Sequence, residues 1–134
     1  MDFRLEVVVV PVSDVDASKA FYADRCGFVV DVDRQVTESF RVVQLTPPGS
    51  GCSITIGQGL APMAPGALKG LQLCVTDAVA AHAELAGRGV PVTEVVHFEG
   101  GGTVPGAGGD FETFFFFDDP DGNSWAVQQS PVRS

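Results

Sequence analysis

Two short apolar runs open two stretches of chain that follow the same pattern of hydrophobic and polar positions. Residues 5–12 (Leu-Glu-Val-Val-Val-Val-Pro-Val) and 71–75 (Leu-Gln-Leu-Cys-Val) have the length and β-branched content of buried strands. Polar residues with N-capping oxygens follow each run, Ser13-Asp14 in the first and Thr76-Asp77 in the second. Helical segments then span 16–26 and 78–88, each stopped by a glycine, Gly27 or Gly89, suited to a left-handed helix end. Beyond each helix the pattern becomes strand-like, over 28–34, 40–45 and 52–56, then over 92–98, 111–117 and 124–129. Both stretches therefore read βαβββ.

The repeat is visible in identities as well as pattern. Val12, Asp14, Ala17, Ala20 and Arg25 recur 63 positions later as Val75, Asp77, Ala80, Ala83 and Arg88. The turn formers Thr46-Pro47-Pro48-Gly49 and Asp119-Pro120-Asp121-Gly122 stand 73 positions apart at the last hairpin of each copy. The sequence thus predicts an α+β fold of two tandem βαβββ modules in one domain, 1–134. Module one covers about 4–57, a Pro- and Gly-containing linker 58–69, and module two about 70–130. The glycine-rich segment 99–110 reads as a mobile loop within module two.

A chain of 134 residues has room for one small domain. Eight Lys and Arg against seventeen acidic residues give a net charge of −9, which argues against nucleic acid and mildly favours cationic ligands. The longest apolar run, 7–12, falls far short of the roughly 18 residues of a membrane helix. Met1-Asp2-Phe3-Arg4 lacks the pattern of a secretory signal, and Cys26, Cys52 and Cys74 form no CxxC pair. These features lead to the expectation of a cytoplasmic protein that binds neither nucleic acid nor membrane.

The stretch Val-Ser-Asp-Val-Asp-Ala-Ser-Lys-Ala-Phe-Tyr (12–22), ending in Cys26-Gly27-Phe28, resembles the opening of vicinal-oxygen-chelate proteins. Asp118-Asp119-Pro120-Asp121-Gly122-Asn123-Ser124-Trp125 resembles their closing hairpin. These are the glyoxalase, bleomycin-resistance and extradiol-dioxygenase relatives. The resemblance implies curved half-barrel sheets with helices outside, paired in a homodimer. In metal-dependent members, side chains from four strands hold one divalent ion; the matching positions here are Val7, Ser53, Gly70 and Ala126. None carries an imidazole, carboxylate or thiolate, although a one-residue slip at Ser53 offers Cys52. No metal and no cofactor are therefore expected.

Phe114-Phe115-Phe116-Phe117 is the most unusual stretch. Strand alternation places Phe114 and Phe116 on one face and Phe115 and Phe117 on the other. By the resemblance, Phe116 lines the concave site and Phe114 follows by period, as pocket wall or as plain core. Phe115 and Phe117 go beneath the helices. The same parity turns Val7, Val9, Gln72, Ala126 and Gln128 inward, with Gln44 if the third strand is in phase. That cleft is apolar, carries a few orienting amides and holds no carboxylate.

Outside it, His82 is expected on an exposed helix surface. His97 is expected at the cleft mouth, as acid, base, ligand or structural residue. With Glu99 or Glu112 it makes the one replacement metal cluster the sequence offers. Cys74 is expected to face the helix layer, and Cys26 to be packing. There is no Ser-His-Asp order and no HExxH, and Gly100-Gly101-Gly102 opens no helix. Three readings follow: a metal-free protein binding a small aromatic or cationic molecule; a lyase, isomerase or dioxygenase with ligands relocated around His97; or a structural or regulatory dimer.

Overall fold

The computed structural model describes residues 1–131. Its contacts divide into two compact units: Met1–Leu68 with Asp119–Asn123, and Lys69–Asp118 with residues 124–131. The turn of the last hairpin thus belongs to the first unit, while its two strands belong to the second.

In the first unit, β1 (Val7–Val9) leads to α1 (Val15–Ala20), and β2 (Val29–Thr37), β3 (Phe40–Thr46) and β4 (Ser53–Gln58) follow. The sheet order is β1-β4-β3-β2, with β1 parallel to β4 and the other pairs antiparallel. The Asp14 carboxylate accepts the Ala17 N–H at 3.0 Å and so caps α1. The helix then widens into a π-helical segment, Phe21–Arg25, before Gly27 ends it at φ +78°. Phe21 and Tyr22 are both buried there, alongside Val43, Leu45, Ile54 and Ile56 from the inner face of the sheet. Tyr22 Oη donates to Asp119 Oδ2 at 2.7 Å. Asp119 also accepts from Asn123 Nδ2 at 2.8 Å and from the main-chain N–H groups of Asp121 and Asn123 at 2.9 Å. Asn123 Nδ2 in turn reaches the Pro11 carbonyl at 2.7 Å.

The second unit repeats this plan and adds a strand. Its elements are β5 (Leu71–Val75), α2 (Ala78–Gly87), β6 (Val96–Glu99), β7 (Gly102–Pro105), β8 (Thr113–Asp118) and β9 (Ser124–Gln129). The sheet order β5-β9-β8-β6-β7 matches that of the first unit with β7 added at the edge. Asp77 caps α2 through the Ala80 N–H at 3.0 Å. The architecture is α+β, with two sheets and two α-helices among the described residues.

The glycine-rich segment is not wholly a loop. Gly100 and Gly101, at φ +61° and +83°, make a tight turn that pairs Glu99 with Gly102 and builds the β6–β7 hairpin. Two positive-φ residues in succession match the right-handed twist of the flanking strands, so the pair favours a hairpin over a loose connection. The strand expected at 92–98 begins only at Val96, with Val92 making one isolated bridge to Phe117. Among the described residues, no helix is long and apolar enough to cross a membrane.

Candidate ligand-binding site

Register partners in a sheet share a face, which sorts the second unit's side chains. Phe115 and Phe117 are buried with Val127 and Trp125, and Phe115 meets the His82 ring of α2 edge-on at 5.3 Å. The opposite, open face carries Phe114 beside Gln128 and Phe116 beside Ala126, with Gln72 level with Ala126. Phe114 and Phe116 lie parallel, 6.1 Å between centroids and 4° between planes, and Phe98 meets Phe114 edge-on at 5.2 Å. Phe116 keeps 37% of its surface exposed. Beside the rings, Gln72 Nε2 donates to Gln128 Oε1 at 2.6 Å, and Gln128 Nε2 donates to the Phe111 carbonyl at 2.9 Å. The result is an aromatic patch bordered by a hydrogen-bonded amide pair.

Several expectations require correction. Cys74 pairs with Gln128 and is exposed, so it faces the open side, not the helix layer; its Sγ lies 3.8 Å from Gln128 Oε1. Even-numbered residues of β5 all point that way, which the assignment of Gln72 already required. His82 is half-buried rather than exposed, with Nε2 at 2.9 Å from the Thr93 carbonyl and its ring against Phe115.

His97 pairs with Thr113, which places it on the face opposite Phe114 and away from the aromatic surface. Its Nδ1 donates to the Gly106 carbonyl at 2.8 Å, and Nε2 lies 3.2 Å from Glu99 Oε2. The Gly106 carbonyl, then Glu99 and Glu112, raise its pKa above the ordinary histidine value. Gly108 packs against this imidazole, and a Cβ there would sit 2.9 Å from the ring. Glu112 is occupied with the Gly109 N–H at 2.6 Å. Among the described residues, no three His, Cys, Asp or Glu side chains converge as a metal site.

On the first unit, Ile54 and Ile56 face the core, so Ser53 and Thr55 lie on the other face. Val7 is level with Ser53, Val9 with Thr55, and Gln44 also with Thr55, which puts Gln44 in phase. Val7 is 47% exposed and Ser53 8%. This face does hold a carboxylate. Asp31 accepts the hydroxyl proton of Thr46, whose Oγ1 lies 2.6 Å from Ser53 Oγ. This carboxylate comes from β2, where the register slips between Val30 and Val32. A cleft of about 160 Å³ was also unforeseen, where β1 and β4 part, between residues 9–12 and 57–63.

The duplicated sheet order and the open faces are those of a known group, and the model of the Glyoxalase/Bleomycin resistance protein/Dioxygenase superfamily matches residues 4–127. The chain belongs to this superfamily. Among its solved structures, TnmS3, an antibiotic binding protein from Streptomyces sp. CB03234, is similar at 30% identity and TM-score 0.77, over 97% of this chain and 98% of that one. A glyoxalase/bleomycin resistance protein from the same organism is 32% identical with TM-score 0.71, over 94% of this chain and all of that one. UcmS2 is 25% identical with TM-score 0.75, over 97% and 100% of the two chains. No curated protein matches.

Of the four positions that the resemblance matches to the family's metal ligands, Val7 and Ser53 are register partners, whereas Gly70 lies two rungs from Ala126 and donates its N–H to Ser124 Oγ at 3.0 Å. Two aliphatic side chains, a glycine and a hydroxyl already bonded to Thr46 do not supply the donors a transition metal requires.

Proposed function

We propose that this superfamily member binds a small planar aromatic molecule without using the family metal tetrad. The ligand lies on the open face of the second unit. The observation that carries the reading is the parallel pair Phe114 and Phe116, part-exposed on the face opposite the buried Phe115 and Phe117. A flat ring stacks on such a surface at a centroid spacing of about 4.5–7 Å, each contact worth about 0.5–1.5 kcal/mol beyond area burial. Gln72 and Gln128 supply the few polar contacts that fix orientation. The antibiotic-binding relative TnmS3 supports small-molecule capture as the role. The net charge of −9 favours ligands that are also cationic. Homodimer formation and a cytoplasmic setting belong to the same proposal, with light scattering the check on the dimer.

Calorimetric titration with planar tricyclic cations, acridine and phenothiazine types, tests the reading. Trp125 is a poor optical reporter, because it is buried against Phe117 on the other side of the sheet. Binding in the micromolar range is expected, weakened at least about tenfold by Phe116→Ala. Absence of binding below about 1 mM by every tricyclic tried refutes it.

A further inference from the structure

The first unit carries a polar chain with a definite direction. β2 changes register between Val30 and Val32, leaving Asp31 as the extra residue of a bulge. Bulges re-aim side chains, and here the Asp31 carboxylate reaches the Thr46 hydroxyl at the end of β3. Thr46 Oγ1 lies 2.6 Å from Ser53 Oγ at the start of β4. Three strands thus contribute one group each to a continuous carboxylate–hydroxyl–hydroxyl row.

Proton accounting fixes which way the row points. An ionised carboxylate only accepts, and each hydroxyl has one proton to give. Thr46 spends its proton on Asp31, so toward Ser53 it only accepts. Ser53 therefore spends its own proton on Thr46. What remains at Ser53 Oγ is lone-pair density, strengthened by polarisation along the row. Ser53 is 8% exposed, so what reaches its Oγ is a small group, and that group must bring a hydrogen-bond donor.

We propose that Ser53 is the recognition point for a protonated amine, an alkylammonium group of a small organic cation. Such a group brings three N–H donors and a positive charge to an oxygen whose polarity is set by Asp31. Val7, level with Ser53 and about half exposed, offers the apolar contact for the carbon next to the nitrogen. A carbonyl or carboxylate ligand meets only lone pairs there and is rejected. The site stands on different residues from the aromatic face of the second unit, so either can fail without the other.

The test uses the full chain and three probes of similar size, followed by amide N–H chemical shifts. These are benzylammonium, trimethylbenzylammonium (charged, with no N–H) and acetophenone (an acceptor only). Benzylammonium is expected to shift Val7, Thr46 and Ser53 with millimolar affinity, as suits so small a probe. The trimethyl analogue should bind at least about fivefold more weakly, and acetophenone should produce no shift there.

Two substitutions separate the row from simple charge attraction. Ser53→Ala removes the acceptor and keeps the Asp31–Thr46 bond, so benzylammonium affinity should fall about tenfold. Thr46→Val preserves shape and the Asp31 charge but cuts the row; Ser53 regains a free proton, benzylammonium weakens and acetophenone binding appears. The proposal is overturned if benzylammonium produces no shift at these residues. It is equally overturned if the trimethyl analogue binds as well, or if Thr46→Val leaves the preference unchanged because Asp31 alone attracts the cation.

Discussion

Replacing Asp119 with alanine should be among the most damaging single changes to the first unit. Asp119 is 5% exposed and collects four donors, all within 2.7–2.9 Å: Tyr22 Oη, Asn123 Nδ2, and the N–H groups of Asp121 and Asn123. A hydrogen bond to a charged group contributes about 1.5–3 kcal/mol, and these four are not additive because they share one carboxylate. Tyr22 is fully buried, so its hydroxyl gains no water in exchange; Asn123 Nδ2 keeps the Pro11 carbonyl. A net loss of about 3–5 kcal/mol follows. With an unfolding entropy near 2.1 cal/mol/K per residue, that lowers the midpoint by about 10–18 °C for 134 residues. Urea unfolding followed by far-UV circular dichroism measures it. Tyr22→Phe in the same background should show a coupling above about 1 kcal/mol. A loss below about 1 kcal/mol, or full additivity of the two changes, refutes the reasoning.

Other expectations follow from single groups. Phe111 is the one non-glycine residue at positive φ among the described residues, +67°, and its side chain is 62% exposed; Phe111→Gly should raise stability by about 0.5–1 kcal/mol in thermal unfolding. His97, its pKa raised first by the Gly106 carbonyl and then by Glu99, contributes stability fully present below the unfolded value near 6.5. That contribution is lost as pH rises through the higher folded value, so His97→Asn should flatten the fall in melting temperature across this interval. Asp33, held well below the usual carboxylate range by hydrogen bonds from Arg41 and Lys19, behaves in the opposite sense. Its contribution is present above the unfolded value near 3.9 and lost as pH falls below it, so Asp33→Asn should blunt acid sensitivity between about pH 4 and 2.

The parts of the fold that depend on local chemistry were readable from the chain alone. Gly27, Gly49, Gly89 and Gly122 all take the positive φ that stops a helix or closes a hairpin, and Asp14 and Asp77 cap as their positions suggest. Strand parity separated Phe115 and Phe117 from Phe114 and Phe116, since alternation needs no tertiary information. The features missed depend on which strand lies beside which. Asp31 meets Thr46 across β2 and β3 at a bulge, and His97 changes side with the start of β6. The β7 strand had a signal, the Gly100-Gly101 pair ahead of Thr103-Val104, outweighed by the glycine content around it.

The assignment of Asp119–Asn123 to the first unit bears on the order in which a growing chain can settle. Tyr22 leaves the ribosome almost a hundred residues before the carboxylate that receives its hydroxyl. Until then the early half lacks the carboxylate that receives this buried hydroxyl, and its completion waits on contacts of high sequence separation. A fragment ending at residue 68 therefore resembles an unfinished nascent chain more than an independent module, despite the internal duplication.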